Sequence, residues 1–236
     1  CGAEIIITNT FSSSRHAMRS AGIEDRFVDL TNAAVRLARE ARENKGKQEV
    51  LIAGGITHWI WTEDKPSLEE LESNSREQAV LMAKGECDLI MLEMLIDIDR
   101  LLACIDGALA SDLPVWAGIS LEPKNGKMCL LNGESLEDTL DAIKGKNVPL
   151  LNIMHTEVDH IDAALDIVQG NWDGAIGVYA HTCKFSDDNV RAIFDDTISP
   201  EDYAKAAQRW LDRGVQVIGG CCGVRKEHIC ALQEVV

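Results

Sequence analysis

No run of apolar residues in this 236-residue chain approaches the roughly 20 that a helix needs to span a bilayer, so a membrane-crossing helix is not expected. Positive charge is scarce: 23 Lys and Arg stand against 39 Asp and Glu, for a formal net charge of −16. That deficit argues against a nucleic-acid backbone or an anionic membrane surface as partner. No signal peptide accompanies the eight cysteines, Cys1, Cys87, Cys104, Cys129, Cys183, Cys221, Cys222 and Cys230, which are scattered through the chain. The scatter points to a reducing, cytoplasmic setting rather than to a small secreted disulfide scaffold. No Gly-x-Gly-x-x-Gly follows the first predicted strand, and no internal repeat, low-complexity tract or linker divides the chain. One domain over residues 1–236 is the expectation. An initiator Met is also missing, and Cys1-Gly2-Ala3-Glu4 runs straight into an apolar segment, which reads as a fragment of a longer protein.

The 46% hydrophobic content is that of a globular protein, and its distribution carries the fold. Strand-length apolar runs occur at 4–8, 50–54, 88–93, 114–119, 149–152, 174–179 and 215–219. Between them, apolar residues recur at three and four, as in Phe27, Leu30, Ala34, Leu37, Ala38 and Ala41, the pattern of a helix with one buried stripe. Further helices are predicted at about 68–85, 98–111, 135–144, 157–169, 200–213 and 225–235. Strict βα repetition suits crossovers in a parallel sheet. Seven such units fall one short of a (β/α)8 TIM barrel; a doubly wound open sheet has the same local pattern.

The chemistry concentrates after the last strand. Gly219-Gly220-Cys221-Cys222-Gly223 places two adjacent thiols on a glycine-permitted turn at a strand's carboxyl end, where barrel enzymes keep their sites. Neighbouring cysteines rarely bridge one another, and paired thiolates suit a soft metal, above all zinc. Two small buried hydrophobes in a tight turn is the plainer alternative. Another makes Gly219-Gly220 a phosphate-binding turn of a barrel enzyme.

The segment from Ser199 to Leu232, SPEDYAKAAQRWLDRGVQVIGGCCGVRKEHICAL, resembles the carboxyl-terminal part of the homocysteine S-methyltransferase family. Ala3-Glu4-Ile5-Ile6-Ile7-Thr8-Asn9-Thr10-Phe11 is similar to that family's second strand, and Asp88-Leu89-Ile90-Met91-Leu92-Glu93 to its fourth. The resemblance implies a TIM barrel that binds Zn2+ through three cysteine thiolates, takes homocysteine sulfur as a further ligand and transfers a methyl group onto it. The methyl donor is then a sulfonium or quaternary ammonium compound, and the product is methionine. It further implies that Cys221 and Cys222 are metal ligands and that Glu93 receives the homocysteine amino group. Thr8, Asn9 and Thr10 at a strand tip, and Gly55 in the turn Gly54-Gly55-Ile56-Thr57-His58-Trp59-Ile60-Trp61, join it as candidate substrate contacts. Trp59 and Trp61 bring indole faces suited to a cationic donor.

Two departures qualify the resemblance. The family's first zinc cysteine follows an asparagine at the end of the sixth strand; here Ile153 stands after Asn152, and His155, His181 and Cys183 are the candidates for the third ligand. The family's first strand and its glycine-rich turn find no counterpart before Cys1. The expectation is therefore a barrel of about seven βα units lacking the first, with an open seam that is costly unless another segment or a second subunit, as in a homo-oligomer, covers it. These departures also define an alternative function, a thiol- or metal-binding relative with impaired transfer.

Overall fold

The computed structural model describes residues 1–59, 65–185, 192–193 and 198–236; Trp61, a candidate donor contact, lies outside them. The chain packs as two compact units, Glu4–Gly118 with Ala142–Pro149, and Ile119–Asp141 with Leu150–Val236 and Cys1–Ala3.

The amino-terminal unit runs β1 (Ile5–Ile7), α1 (Arg15–Ser20), α2 (Phe27–Asn44), β2 (Leu51–Ile56), α3 (Leu68–Lys84), β3 (Leu89–Leu95), α4 (Ile98–Ala108) and the start of β4 (Val115–Lys124). Helix α2 buries Phe27, Thr31 and Val35, spaced by four, so one face of an otherwise charged helix is covered. Helix α3 starts where the Ser67 hydroxyl accepts the Glu70 N–H, with Glu69 and Glu70 in its first turn and Lys84 in its last. The strands pair in parallel, Ile5 against Leu51 and Ala53 against Leu89. Every residue of β3 is buried, the apolar run Leu89–Leu92 and Glu93 alike, as a strand covered on both faces requires.

In the carboxyl-terminal unit β4 turns back into β5 (Lys127–Leu130), followed by α5 (Leu136–Ile143), β6 (Leu150–Glu157), α6 (Val158–Asn171), β7 (Ala175–His181), β8 (Lys184–Phe185), β9 (Ala192–Ile193), α7 (Pro200–Asp212), β10 (Val217–Ile218) and α8 (Lys226–Leu232). Its core includes Trp210 and Tyr203 from α7, Leu165 and Val168 from α6, and Leu151 and Ile153 from β6, none of them exposed. Cys1 and Cys230 form a disulfide; Cys87, Cys104, Cys129, Cys183, Cys221 and Cys222 are free thiols.

The parallel strands follow the order β1-β2-β3-β4 in the first unit and β4-β6-β7-β10 in the second. Neither order reverses, which is the winding of a (β/α) barrel rather than of a doubly wound sheet, whose order changes direction at a switch point. All seven predicted parallel strands are present, together with elements the periodicity did not reveal. Helix α1 is six residues long, too short to display a stripe. The β4–β5 hairpin turns on Asn125 and Gly126, both with positive φ (52° and 78°). An Asn-Gly pair between strand-like residues is itself a hairpin signal, and the sequence reading passed over it.

Candidate metal centre

Strand β10 continues the sheet for only two residues, but its backbone stays tied to β7 beyond them. Gly219 N–H donates to Val178 O at 3.0 Å, Cys221 N–H to Ala180 O at 3.0 Å, and Thr182 N–H to Cys222 O at 2.9 Å. The buried Tyr203 hydroxyl bridges the same two strands, 2.8 Å from Gly219 O and 3.2 Å from Ala180 O. The two cysteines are thus placed by backbone hydrogen bonds and by a side chain of α7. Gly223 closes the turn at φ 80°, where a Cβ would lie 2.6 Å from Thr182 Oγ1 and 2.7 Å from Cys183 N. Only glycine fits both the conformation and the space. Since the N–H groups of Gly219 and Cys221 are committed to β7, the alternative of a phosphate cradle on this turn loses two of its donors.

Across the unit, β6 departs from regular pairing. Met154 pairs with Tyr179 and Glu157 with His181, so three steps along β6 match two along β7. Within this bulge His155 adopts φ 45°. A left-handed residue that is not glycine costs roughly 1–3 kcal/mol, and such conformations concentrate at functional sites together with bulges, which re-aim side chains. Here the imidazole of His155 meets the two thiols: its Nδ1 lies 3.5 Å from Cys221 Sγ and 3.6 Å from Cys222 Sγ, and the sulfurs are 3.9 Å apart. Ile153, the position at which the resemblance implied a thiolate, is wholly buried apolar packing.

Two thiols and an imidazole form the donor set of a soft or borderline transition metal. A tetrahedral ion with sulfur at ~2.3 Å and nitrogen at ~2.0–2.1 Å separates two sulfurs by about 3.7 Å and a sulfur from a nitrogen by about 3.5 Å. The three edges of the trio match these spacings, so the residues present fit a metal ion that keeps a fourth position for another ligand. Hydrogen bonds from the Cys221 thiol and then His155 pull the Cys222 thiol well below the ordinary thiol range, which favours the thiolate such a site requires.

Of the three candidates for third ligand, the structure brings His155 to the cysteine pair. The ligand atoms of His181 and Cys183 do not join that group among the described residues. His181 instead stands edge-on to His155, ring centroids 5.0 Å apart, and burial lowers its pKa to about 4. Burial raises the Cys183 thiol to about 11, an environment that disfavours its thiolate.

The remaining predicted residues lie in the amino-terminal unit. Thr8 Oγ1 accepts the Gly55 N–H at 3.1 Å and meets Thr10 Oγ1 at 2.8 Å, while Thr10 Oγ1 donates to Gly55 O at 2.6 Å. These bonds hold Gly55 against Glu93, whose carboxylate fills the space a Gly55 side chain would need. Glu93 is 9% exposed. No hydrogen bond or ion pair reaches its carboxylate among the described residues, and burial alone raises its pKa to about 7. Asn9 is exposed and Trp59 half-buried. The reading of the sequence missed the part played by Tyr203, because a buried tyrosine on an amphipathic helix looks like any core residue. It missed the β6 bulge because the residues 153–157 alternate too weakly to reveal an inserted one.

Comparison with known proteins identifies the class. The sequence profile of the homocysteine S-methyltransferases matches residues 1–236. The chain belongs to the homocysteine S-methyltransferase family and is an enzyme of that class. It is 24% identical to homocysteine S-methyltransferase 3 of Arabidopsis thaliana over 266 aligned residues, covering all of this chain and 76% of the relative. It is 25% identical to the S-methylmethionine–homocysteine S-methyltransferase BHMT2 of Pongo abelii, of which it spans 65%. Among solved structures it is similar to the metallated form of the homocysteine methyltransferase MmuM from Escherichia coli, with a TM-score of 0.80 at 22% identity, covering 99% of this chain and 80% of that one. The fold is accordingly of the α/β, TIM-barrel class. Among the described residues no helix is long and apolar enough to cross a membrane.

Proposed function

We propose that this chain is a zinc-dependent homocysteine S-methyltransferase whose ion is held by His155, Cys221 and Cys222, with a sulfonium or quaternary ammonium compound as methyl donor. The observation that carries the reading is the trio itself: three donor atoms 3.5 to 3.9 Å apart, contributed by a strained bulge and a glycine-bounded turn. A zinc ion bound there supplies a Lewis acid that lowers the pKa of the homocysteine thiol from about 8.5, so that sulfur attacks as thiolate at neutral pH.

The chain's own residues do the rest. Backbone bonds from Gly219, Cys221 and Thr182 fix the two sulfurs before any ligand arrives, so little reorganisation is needed on binding. The His155 ring provides a neutral third donor and leaves the cluster with two negative charges rather than three. In the amino-terminal unit, Glu93 is proposed to receive the substrate's amino group. Among the described residues its buried carboxylate has no hydrogen-bond or ion-pair partner, and an ammonium group would both satisfy it and favour its ionised form. Thr8 and Thr10 keep Gly55 in place beneath it, and Asn9 and Trp59 are proposed as peripheral substrate contacts.

The reading is tested by assaying methionine formation from homocysteine with S-methylmethionine and with betaine, on reduced, zinc-loaded protein. Turnover with one of these donors is expected, together with its loss in a folded C221S/C222S variant that retains no stoichiometric zinc. Unchanged zinc content in that variant would overturn the assignment of the site.

A further inference from the structure

The reading of His155, Cys221 and Cys222 as metal ligands leaves open what keeps His155 in a conformation a strand does not favour. The adjacent residue answers it. Thr156 is fully buried, and its hydroxyl makes two hydrogen bonds at once. Oγ1 donates to Met154 O at 2.9 Å, across the bulge, and accepts the Leu121 N–H from β4 at 3.0 Å. In a regular ladder those two backbone groups would be served by neighbouring strands. The register shift between Met154 and Glu157 displaces β6 at this point, and a side-chain hydroxyl takes over as acceptor for β4 and donor to β6. Removing it leaves the Leu121 N–H buried without its partner, and the backbone recovers that bond most directly by closing the bulge. Closing the bulge returns residue 155 to an extended conformation.

We propose that Thr156 is a positioning residue of the metal centre: its hydroxyl locks the β6 bulge that points the His155 imidazole at Cys221 and Cys222. The proposal rests on the assignment of His155 as a ligand, and it adds a residue that touches neither metal nor substrate. A threonine in a buried strand gives no sign of this role in the sequence; what reveals it is one hydroxyl that spans the left-handed residue to Met154 O and also accepts the Leu121 N–H.

The test uses reduced, metal-free full chain titrated with cobalt(II), reading affinity and the ligand-field spectrum, for wild type, T156S, T156V and H155A, and for T156V combined with H155A. Outer partners of metal ligands are commonly worth about 10–100-fold in affinity. T156V is expected to lose affinity on that scale and to shift toward the spectrum of H155A, while T156S, which keeps the hydroxyl, stays close to wild type. In the H155A background T156V should change nothing further. Wild-type affinity and spectrum in T156V would overturn the positioning role, as would an undiminished T156V effect in the H155A background. If H155A itself binds cobalt as wild type does, the ligand assignment fails and takes this proposal with it; a damaged H155A beside an unaffected T156V sinks the positioning role alone. Should T156V not fold, T156S decides: a folded T156S with the H155A spectrum contradicts the proposal, and one with the wild-type spectrum upholds it.

Discussion

The Nδ1 atom of His155 lies 3.5 Å from the sulfur of Cys221, 66 positions away in the sequence. Two unrelated local devices produce that approach, a strand bulge with a left-handed residue and a turn that ends on Gly223. Because position 155, rather than 153, is the one aimed at the cysteines, a thiol introduced there should ligate. His155→Cys is expected to keep metal stoichiometry and to strengthen the sulfur-to-cobalt charge-transfer bands of the cobalt(II) form. Ile153→Cys, placed in the apolar core, should leave those bands as they are. The opposite pattern in the two spectra would show that the bulge does not select the ligand.

Gly223 is the hinge of the cysteine turn, and alanine there meets both a positive φ and the Thr182 hydroxyl. Gly223→Ala should cost at least about 1–3 kcal/mol in chemical denaturation and weaken metal binding with it. Full stability with full metal affinity would mean the turn adopts another conformation.

Glu93 predicts a pH dependence with a definite sign. Burial raises its folded pKa to about 7, so the native state holds this proton more tightly than the unfolded chain does. Stability contributed by the protonated carboxyl is complete below the ordinary pKa of about 4.5 and is lost as pH rises through about 7. Glu93→Gln removes the titration. In substrate-free protein it should match wild type near pH 4 and exceed it by up to about 3 kcal/mol at pH 8, from about 1.4 kcal/mol per pKa unit. A difference between the two proteins that stays constant from pH 4 to 8 would show that folding does not raise the pKa of Glu93. The same variant should raise the KM for homocysteine.

Much of the architecture is legible in the sequence because parallel strands buried on both faces, such as β3 with its Leu89–Leu92 run, stand out as apolar segments; the stripe expected on α2 is displaced, since Thr31 and Val35 join Phe27 in the core while Leu37 and Ala41 are exposed. Cys221 and Cys222 stand out in the sequence as adjacent thiols between glycines, but that pattern alone also suits two small hydrophobes in a tight turn, and it is the nearness of His155 that favours a donor set. The choice among His155, His181 and Cys183 was not legible. All three sit at or near strand ends, and what separates them is a one-residue shift in the pairing of β6 with β7, at which Thr156 accepts a tertiary hydrogen bond from Leu121 that no local propensity reveals. Thr8 and Thr10 were visible as polar residues at a strand tip, but that they clasp Gly55 required the register of β1 against β2.

X-ray absorption at the zinc edge, on reduced and zinc-loaded protein before and after addition of homocysteine, tests the central claim most directly. The account predicts a first shell containing two sulfurs at ~2.3 Å and an imidazole nitrogen at ~2.0 Å, becoming three sulfurs and the same nitrogen once homocysteine is bound. A shell without imidazole, or one whose sulfur count does not rise with homocysteine, would contradict it.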